Sequence, residues 1–192
     1  MKKILWISDY SFTGYTIVTN CLLPYLQNKY DIYLLVINNI NTRDTIINNV
    51  QKTLHINTDH IFTIKQINII DKTNKDLNEY YINNIIGIFN IPNILKLIHP
   101  DIILSINDLQ ILKSQIQCIK NCSFWTGTTI AYMPVDSENY KKNFFDTLYQ
   151  FDHIITMNYI SKQIIKSTEL NKNIYILPHP IRQSFKPLTN TF

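Results

Sequence analysis

The stretch that decides the fold is residues 3–37, which read KILWISDYSFTGYTIVTNCLLPYLQNKYDIYLLVI. It has two short apolar runs, at 3–8 and 32–37, on either side of a longer helix-like segment at 15–28. Each run is apolar almost continuously, a pattern typical of strands that a parallel sheet buries on both faces. The stretch therefore predicts a strand, a helix and a second strand parallel to the first.

The same alternation continues along the rest of the chain. Further strands are predicted at 61–65, 101–106, 128–133, 153–157 and 173–177. Helices are predicted at 45–54, 77–98 in one piece or two around Pro92, 109–120, 139–149 and 161–170, the last with Ser161 as its N-cap. Repeated β-α-β order predicts right-handed crossovers and an α/β fold with a doubly wound, mainly parallel, Rossmann-like sheet flanked by helices. Because no Gly/Ser linker divides the chain, we expect one domain.

Composition supports one globular domain and excludes several function classes. The chain has 192 residues, of which 45% are apolar and 17% charged, which argues against disorder. Its 36 isoleucines and 23 asparagines against 3 glycines indicate an A/T-rich genome. The net charge of +4 comes almost wholly from scattered lysines, with Arg43 and Arg182 as the two arginines. Nucleic-acid binding is therefore not expected.

Membrane, metal and nucleotide-hydrolase signals are weak. No apolar stretch approaches the ~20 residues that cross a bilayer, and the N-terminal apolar run is too short for a signal peptide, so we expect a cytoplasmic protein. Cys21, Cys118 and Cys122 lack paired CxxC spacing, which favours free thiols over metal ligation or a disulfide. The sequence has no GxGxxG, P-loop or GxSxG motif, which argues against dinucleotide binding, ATP hydrolysis and a serine hydrolase.

Candidate site residues follow from the strand predictions, because ligands of open α/β sheets bind at the carboxyl ends of the strands. Gly14 opens the first predicted helix, where a residue without Cβ lets a ligand reach backbone N–H groups; alternatively, it only makes the turn. The polar residues at these strand ends are Asp9, Asn107, Asp108, Asp136, Glu138, Asn158 and His179.

Three of these residues have a structural alternative. Asp108 and Asp136 can accept hydrogen bonds from sugar hydroxyls or act as a base, or they can cap the helices that start at Leu109 and near Asn139. His179, between two prolines, either contacts a ligand or forms a stiff exit turn.

Five segments, in chain order, resemble the N-terminal domain of glycosyltransferases of the two-domain GT-B fold, particularly family 4. After the opening stretch they are HPDIILSINDLQIL (99–112), TTIAYMPVDSENY (128–140), FDHIITMNYISKQII (151–165) and NIYILPHPIRQSFKPL (173–188). The resemblance implies a single GT-B half, with a Rossmann-like acceptor-side domain over 1–182 and a tail at 183–192 similar to the family's interdomain linker.

What the resemblance implies is the acceptor-binding half of a retaining enzyme that moves a sugar from a nucleotide sugar to a glycan or other hydroxyl acceptor. Such an enzyme needs no metal or other cofactor, and its C-terminal donor-binding domain would come from another chain or a longer product. Gly14 and Tyr15 would serve the donor diphosphate, and Asp108 and Asp136 would be catalytic. The implied substrate contacts are Asp9, Asn107, Glu138, Asn158 and His179.

The sequence also departs from the family pattern. Pro180 stands where the family usually has glycine, Asn158 and Tyr159 stand where it often has serine, and the histidine after the fifth strand has no match. An alternative therefore stays open: a non-catalytic single-domain protein that binds a glycan, a nucleotide sugar or a protein partner.

Overall fold

Seven parallel strands form one sheet in the computed structural model, which describes residues 1–10, 13–38, 41–64, 75–135, 140, 142–168 and 170–180. The strands are β1 Lys2–Asp9, β2 Tyr30–Ile37, β3 Ile61–Thr63, β4 Ile102–Ile106, β5 Thr128–Met133, β6 His153–Thr156 and β7 Ile174–Ile176. Their order across the sheet is β3-β2-β1-β4-β5-β6-β7, and every neighbouring pair is parallel. The predicted fold class and all seven strands are confirmed.

Within the described ranges, six α-helices and two 3-10 segments connect the strands. The α-helices are α1 Gly14–Leu26, α2 Arg43–Leu54, α3 Lys75–Ile85, α4 Ile91–Ile98, α5 Leu109–Lys120 and α6 Tyr159–Lys166. The 3-10 segments are Thr58–His60 and Lys142–Gln150. The second of them lies where the sequence predicted an α-helix at 139–149, so that prediction was right about the element's place and wrong about its type.

The predicted helix at 77–98 is two helices, and the break comes before Pro92. Gly87 forms the turn with φ 86°, a left-handed conformation that favours glycine. A Cβ on Gly87 would lie 2.9 Å from the Ile37 Cγ2. Pro92 itself lies in the first turn of α4, where its missing N–H costs no helical hydrogen bond.

The prediction of Ser161 as the N-cap of the sixth helix was wrong. The cap is Asn158, whose side-chain oxygen accepts a 2.7 Å hydrogen bond from the Ser161 N–H. Ser161 is fully buried inside α6, and its hydroxyl donates to the Val135 carbonyl at 2.8 Å. Helix α6 therefore starts two residues earlier than predicted and is anchored to the end of β5.

The core lies on both faces of the sheet, which explains why the strands are apolar without interruption. On one face Trp6 and Leu34 pack with residues of α1 and α2. On the other face Leu5 and Leu35 pack with residues of α4 and α5. A third cluster packs β5 and β6 against α5, α6 and the second 3-10 segment. Within the described part of the chain, no helix has the length and apolarity to cross a membrane.

Candidate functional site

The chain changes direction across the sheet between β1 and β4. From β1 the strands proceed outward through β2 to β3, and from β4 they proceed the other way to β7. Such a switch point leaves a crevice at the carboxyl ends of the two central strands, and ligands of doubly wound sheets bind there. Ser8 pairs with Ile106 in the register, so Asp9 and Asn107 follow side by side at this crevice.

Asp9 is a buried carboxylate, with 4% of its surface exposed. Its Oδ2 accepts a 3.1 Å hydrogen bond from the Asn38 side-chain amide. Asn38 is held in a left-handed conformation, with φ 51°, by a 2.7 Å hydrogen bond from its own N–H to the Ile85 carbonyl. The predicted contact residue Asp9 is thus fixed by the loop after β2.

A buried relay of hydrogen bonds fixes the backbone at the same point. The Trp6 indole N–H donates to the Thr19 hydroxyl at 3.1 Å, and that hydroxyl donates to the Ser8 hydroxyl at 3.0 Å. The Ser8 hydroxyl then donates to the Asp9 carbonyl at 3.0 Å. The relay joins α1 to the end of β1.

Asn107 differs from Asp9 in having an unused donor. It is 1% exposed, and its backbone N–H donates to the Tyr132 carbonyl at 3.2 Å. Its side-chain nitrogen is buried and finds no hydrogen-bond partner among the described residues. Leaving a buried amide unsatisfied costs about 1–3 kcal/mol, and native proteins usually satisfy such a group with water or a ligand. Among the predicted contact residues, Asn107 is therefore the one whose side-chain donor is most clearly available to a ligand.

Helix α1 begins at the crevice without a conventional cap. Its N-cap residue, Thr13, makes no capping hydrogen bond, and the buried Thr13 hydroxyl has no partner within the described ranges. A Cβ on Gly14 would meet no atom within 4 Å, and the Gly14 φ lies outside the left-handed region. Neither crowding nor backbone conformation in the described chain thus requires glycine there. Gly14, the first residue of this 13-residue helix, is exposed, so the positive end of the helix is accessible at this residue.

Tyr15 and Asp108, which lie 93 residues apart, are brought together across the crevice. The Tyr15 hydroxyl donates a hydrogen bond to the Asp108 Oδ1. Asp108 occupies the N-cap position of α5, but its side chain makes no capping hydrogen bond; only its carbonyl accepts from the Ile111 and Leu112 N–H groups. The Asp108 carboxylate therefore hydrogen-bonds to Tyr15 and does not cap α5. Capping was the structural alternative for Asp108, and the residue does occupy the N-cap position.

Asn158 and His179 lie farther along the sheet. The Asn158 side chain caps α6, beyond β6, which is two strands or about 10 Å from β4. The His179 ring packs edge-on against Tyr132 with centroids 5.8 Å apart, and burial lowers the pKa of the imidazole. Asp136 and Glu138 fall outside the described residues, as does the 183–192 tail.

Tyr132 is a residue that sequence reasoning missed. It is paired with Ile106 beside the crevice, and its hydroxyl donates to the Leu177 carbonyl at 2.8 Å. Burial raises the pKa of Tyr132 to about 12. It therefore remains a neutral donor that links β5 to the exit from β7 and to His179. Its only sequence signal was an aromatic residue within a strand, which a core position explains equally well.

A cavity of about 510 Å³ lies at the carboxyl end of β3, on the same edge of the sheet as the crevice. It is lined by Thr42, Arg43, Ile61, Phe62, Thr63, Ile64 and Asn90. Because β3 is two strands from β1, the cavity lies about 10 Å from the switch point. A second cavity, of about 570 Å³, lies at the opposite edge beside Lys166 and Lys172.

The described ranges contain no candidate metal site, since no three His, Cys, Asp or Glu side chains there could hold an ion together. The thiols of Cys21, Cys118 and Cys122 are free. Burial raises the pKa of Cys118 to about 11, which keeps that thiol protonated and unreactive.

Comparison with known proteins identifies the fold. No family model matches the chain, and no curated protein does either. Among solved structures, MurG of Acinetobacter baumannii is similar with a TM-score of 0.57 and 12% identity over 98% of this chain and 48% of that one. UGT89C1 of Arabidopsis thaliana, solved with UDP, has a TM-score of 0.58 and 12% identity, covering 97% and 52%.

A putative UDP-N-acetylglucosamine 2-epimerase from Listeria monocytogenes is also similar, with a TM-score of 0.61 and 13% identity over 92% of this chain and 45% of that one. The chain thus spans about half the length of the solved structures that it matches. At these identities the likeness shows the fold: a Rossmann-like domain of the kind that forms one half of GT-B proteins.

Proposed function

We propose that this chain is the acceptor-side half of a family 4-like, retaining GT-B glycosyltransferase, completed by a second Rossmann-like domain that binds the nucleotide sugar. The observation that carries the proposal is the convergence at the switch point of the exposed first residue of α1, the Asn107 side-chain nitrogen, which has no partner among the described residues, and the Asp108 carboxylate. These are an anion site, a hydrogen-bond donor and an acceptor for a hydroxyl, within one crevice.

The crevice supplies the parts that glycosyl transfer needs. The acceptor hydroxyl oxygen bonds to the anomeric carbon of the donor on the face from which the diphosphate departs, the bond from that carbon to the diphosphate breaks, and the hydroxyl proton passes to an oxygen of the departing diphosphate. The N-terminus of α1 at Gly14 stabilises the negative charge that develops on the departing diphosphate. Asp108 receives the hydrogen bond of the acceptor hydroxyl on its second carboxylate oxygen, and Asn107 holds a sugar oxygen. Positioning and charge stabilisation of this kind provide the rate enhancement.

A transferase fits the molecule better than an epimerase, although both occur among the structural neighbours. An epimerase acts on the nucleotide sugar alone, whereas a transferase needs room for a second substrate. The cavity beside β3 offers that room, on the same edge of the sheet and about 10 Å from the switch point.

The test starts with the DNA immediately downstream, where we expect a second Rossmann-like domain in frame or as a neighbouring gene. The two parts, produced together, are assayed for release of nucleoside diphosphate from UDP-glucose, UDP-N-acetylglucosamine and GDP-mannose, with and without sugar acceptors. We expect release to depend on an acceptor and to fall at least about 10-fold in Asp108→Asn and Gly14→Val. The control Asn121→Ala, at the other end of α5, retains full activity.

Two results would contradict the proposal. Epimerisation of the sugar on the intact nucleotide, followed by NMR of the donor and without release of nucleoside diphosphate, would identify an epimerase. A folded pair that turns over none of the donors, while the chain still binds sugars, identifies the non-catalytic binding protein.

A further inference from the structure

Arg43 lines the cavity beside β3 as a cation that has no partner in the described part of the chain. No ion pair or hydrogen bond of its guanidinium occurs among the described residues, and the side chain is exposed. It is the first residue of α2, where the positive end of the helix dipole disfavours a cation. The cap of α2 comes instead from Thr42, whose hydroxyl accepts from the Thr45 N–H. Arg43 therefore neither caps α2 nor complements its dipole, so the helix itself gives no reason for a cation at this position.

The described lining of the cavity combines one positive charge with apolar and neutral polar surface. Ile61, Phe62 and Ile64 provide the apolar part, and Phe62 is half-buried. Thr63 and Asn90 lie beside them, joined by a 3.4 Å hydrogen bond from the Asn90 side-chain nitrogen to the Thr63 carbonyl. No carboxylate is among the lining residues that the structure describes. This combination suits a ligand with an anionic group and a ring that can lie on an aromatic surface.

We propose that the cavity selects an anionic acceptor, with Arg43 binding a carboxylate or phosphate group of that molecule. The planar guanidinium fork matches both groups and binds them through two parallel hydrogen bonds. The inference rests on the proposed function, because the distance of about 10 Å between β3 and β1 places the anionic group one sugar or more away from the reacting hydroxyl. It adds the substrate class: an acidic or phosphorylated sugar.

The test is a binding measurement on the 192-residue chain and needs no turnover. Three probes are titrated separately into ¹⁵N-labelled protein: methyl β-glucuronide, glucose 6-phosphate and the neutral methyl β-glucoside. We expect at least one anionic probe to bind about 3-fold or more tightly than the neutral one, since an ion pair with an exposed side chain contributes up to about 1 kcal/mol. The shifted amide signals should be those of Arg43, Thr63 and Asn90, and the two anionic arms distinguish carboxylate from phosphate.

Variants locate the charge that is responsible. Arg43→Gln, at an exposed position that does not cap α2, should abolish the preference for the anion without unfolding the protein. Arg43→Lys keeps the charge, loses the fork and should retain part of the preference. The matched control is Lys52→Gln, which removes an exposed cation from the last turn of the same helix and should change nothing.

Equal binding of charged and neutral probes, or an unchanged anion preference in Arg43→Gln, would overturn the inference. A change of preference in Lys52→Gln would do the same, because it would show attraction by net charge. The two proposals can fail separately. If the completed enzyme transfers sugar to neutral acceptors alone, glycosyl transfer stands and the proposal of an anionic acceptor is wrong. If the chain prefers anions but no transfer occurs, the anion site stands and the proposed reaction is wrong.

Discussion

Replacing Thr19 by valine tests whether the relay from Trp6 to Asp9 holds the candidate site together. Valine has nearly the shape of threonine, so the fully buried position stays filled. The substitution removes two hydrogen bonds: the one that the Thr19 hydroxyl accepts from the Trp6 indole at 3.1 Å and the one that it donates to Ser8 at 3.0 Å.

The expected loss of stability depends on which hydrogen bonds Trp6 and Ser8 retain. The indole N–H of Trp6, a residue with no exposed surface, is left without a partner at a cost of about 1–3 kcal/mol. The Ser8 hydroxyl still donates to the Asp9 carbonyl, so loss of its second contact costs about 1 kcal/mol or less. We expect the free energy of unfolding to fall by about 2–3 kcal/mol. In a domain of this size that lowers Tm by about 4–12 °C.

Urea denaturation at pH 7, followed by tryptophan fluorescence and circular dichroism, measures the change. In a Trp6→Phe background the stranded donor is absent, so the same Thr19→Val substitution should cost about 1 kcal/mol or less. Thr128→Val, at a half-buried strand position, is the control and should change stability by less than about 0.5 kcal/mol. A loss in Thr19→Val below about 0.5 kcal/mol, or equal losses in both Trp6 backgrounds, would refute the role of the relay.

Two further substitutions probe the fold itself, one near the carboxyl end of β2 and one at the amino ends of β5 and β6. Gly87→Ala should destabilise the protein by about 2 kcal/mol, since its φ of 86° is strained for alanine and its Cβ would lie 2.9 Å from the Ile37 Cγ2; Gly14→Ala is its control, and an equal effect of both on thermal melting would contradict this. Burial alone would raise the pKa of Asp152, but hydrogen bonds from Thr129 and nearby lysines outweigh burial and lower that pKa. Asp152→Asn should therefore cost about 1 kcal/mol at pH 7, and the difference from the wild type should shrink as pH falls below 3.8, the ordinary value, and through the lower folded-state pKa. A difference in urea midpoints that stays constant between pH 7 and pH 3 would disprove the coupling.

The sequence predicts the sheet well because both faces of its strands are buried. In β1, Leu5 and Ile7 pack on one face while Ile4 and Trp6 pack on the other, so the apolar run has no polar interruption. Helix ends were harder to predict. Asn158 and Ser161 are both good capping residues, and only burial of Ser161 against the Val135 carbonyl decides between them. That contact is tertiary and leaves no local signal.

Part of the candidate site could likewise be predicted from the sequence, and part depends on tertiary contacts. Strand order alone places Asp9, Gly14 and Asn107 at the carboxyl edge, since each follows a buried strand closely. The hydrogen bond between Tyr15 and Asp108 spans 93 residues, so no local pattern contains it. The cavity beside β3 was missed for a related reason: Arg43, Phe62 and Asn90 meet only in the folded chain, and in the sequence Arg43 figured only as one of two arginines.

Asp9 and Asn107 lie at equivalent places at the ends of neighbouring strands, yet their hydrogen-bond environments differ. The Asp9 carboxylate accepts a hydrogen bond from the Asn38 side chain, and the relay from Trp6 ends on the Asp9 carbonyl, so the residue is held by both its side chain and its backbone. The Asn107 nitrogen is equally buried and has no partner among the described residues, so a ligand that used it would remove an existing cost of about 1–3 kcal/mol. A ligand would therefore gain binding energy at Asn107, whereas the contacts of Asp9 maintain the geometry at the end of β1. The Tyr15 hydroxyl engages one carboxylate oxygen of Asp108 and so orients that carboxylate across the crevice, while its second oxygen can still accept a hydrogen bond from an incoming hydroxyl group.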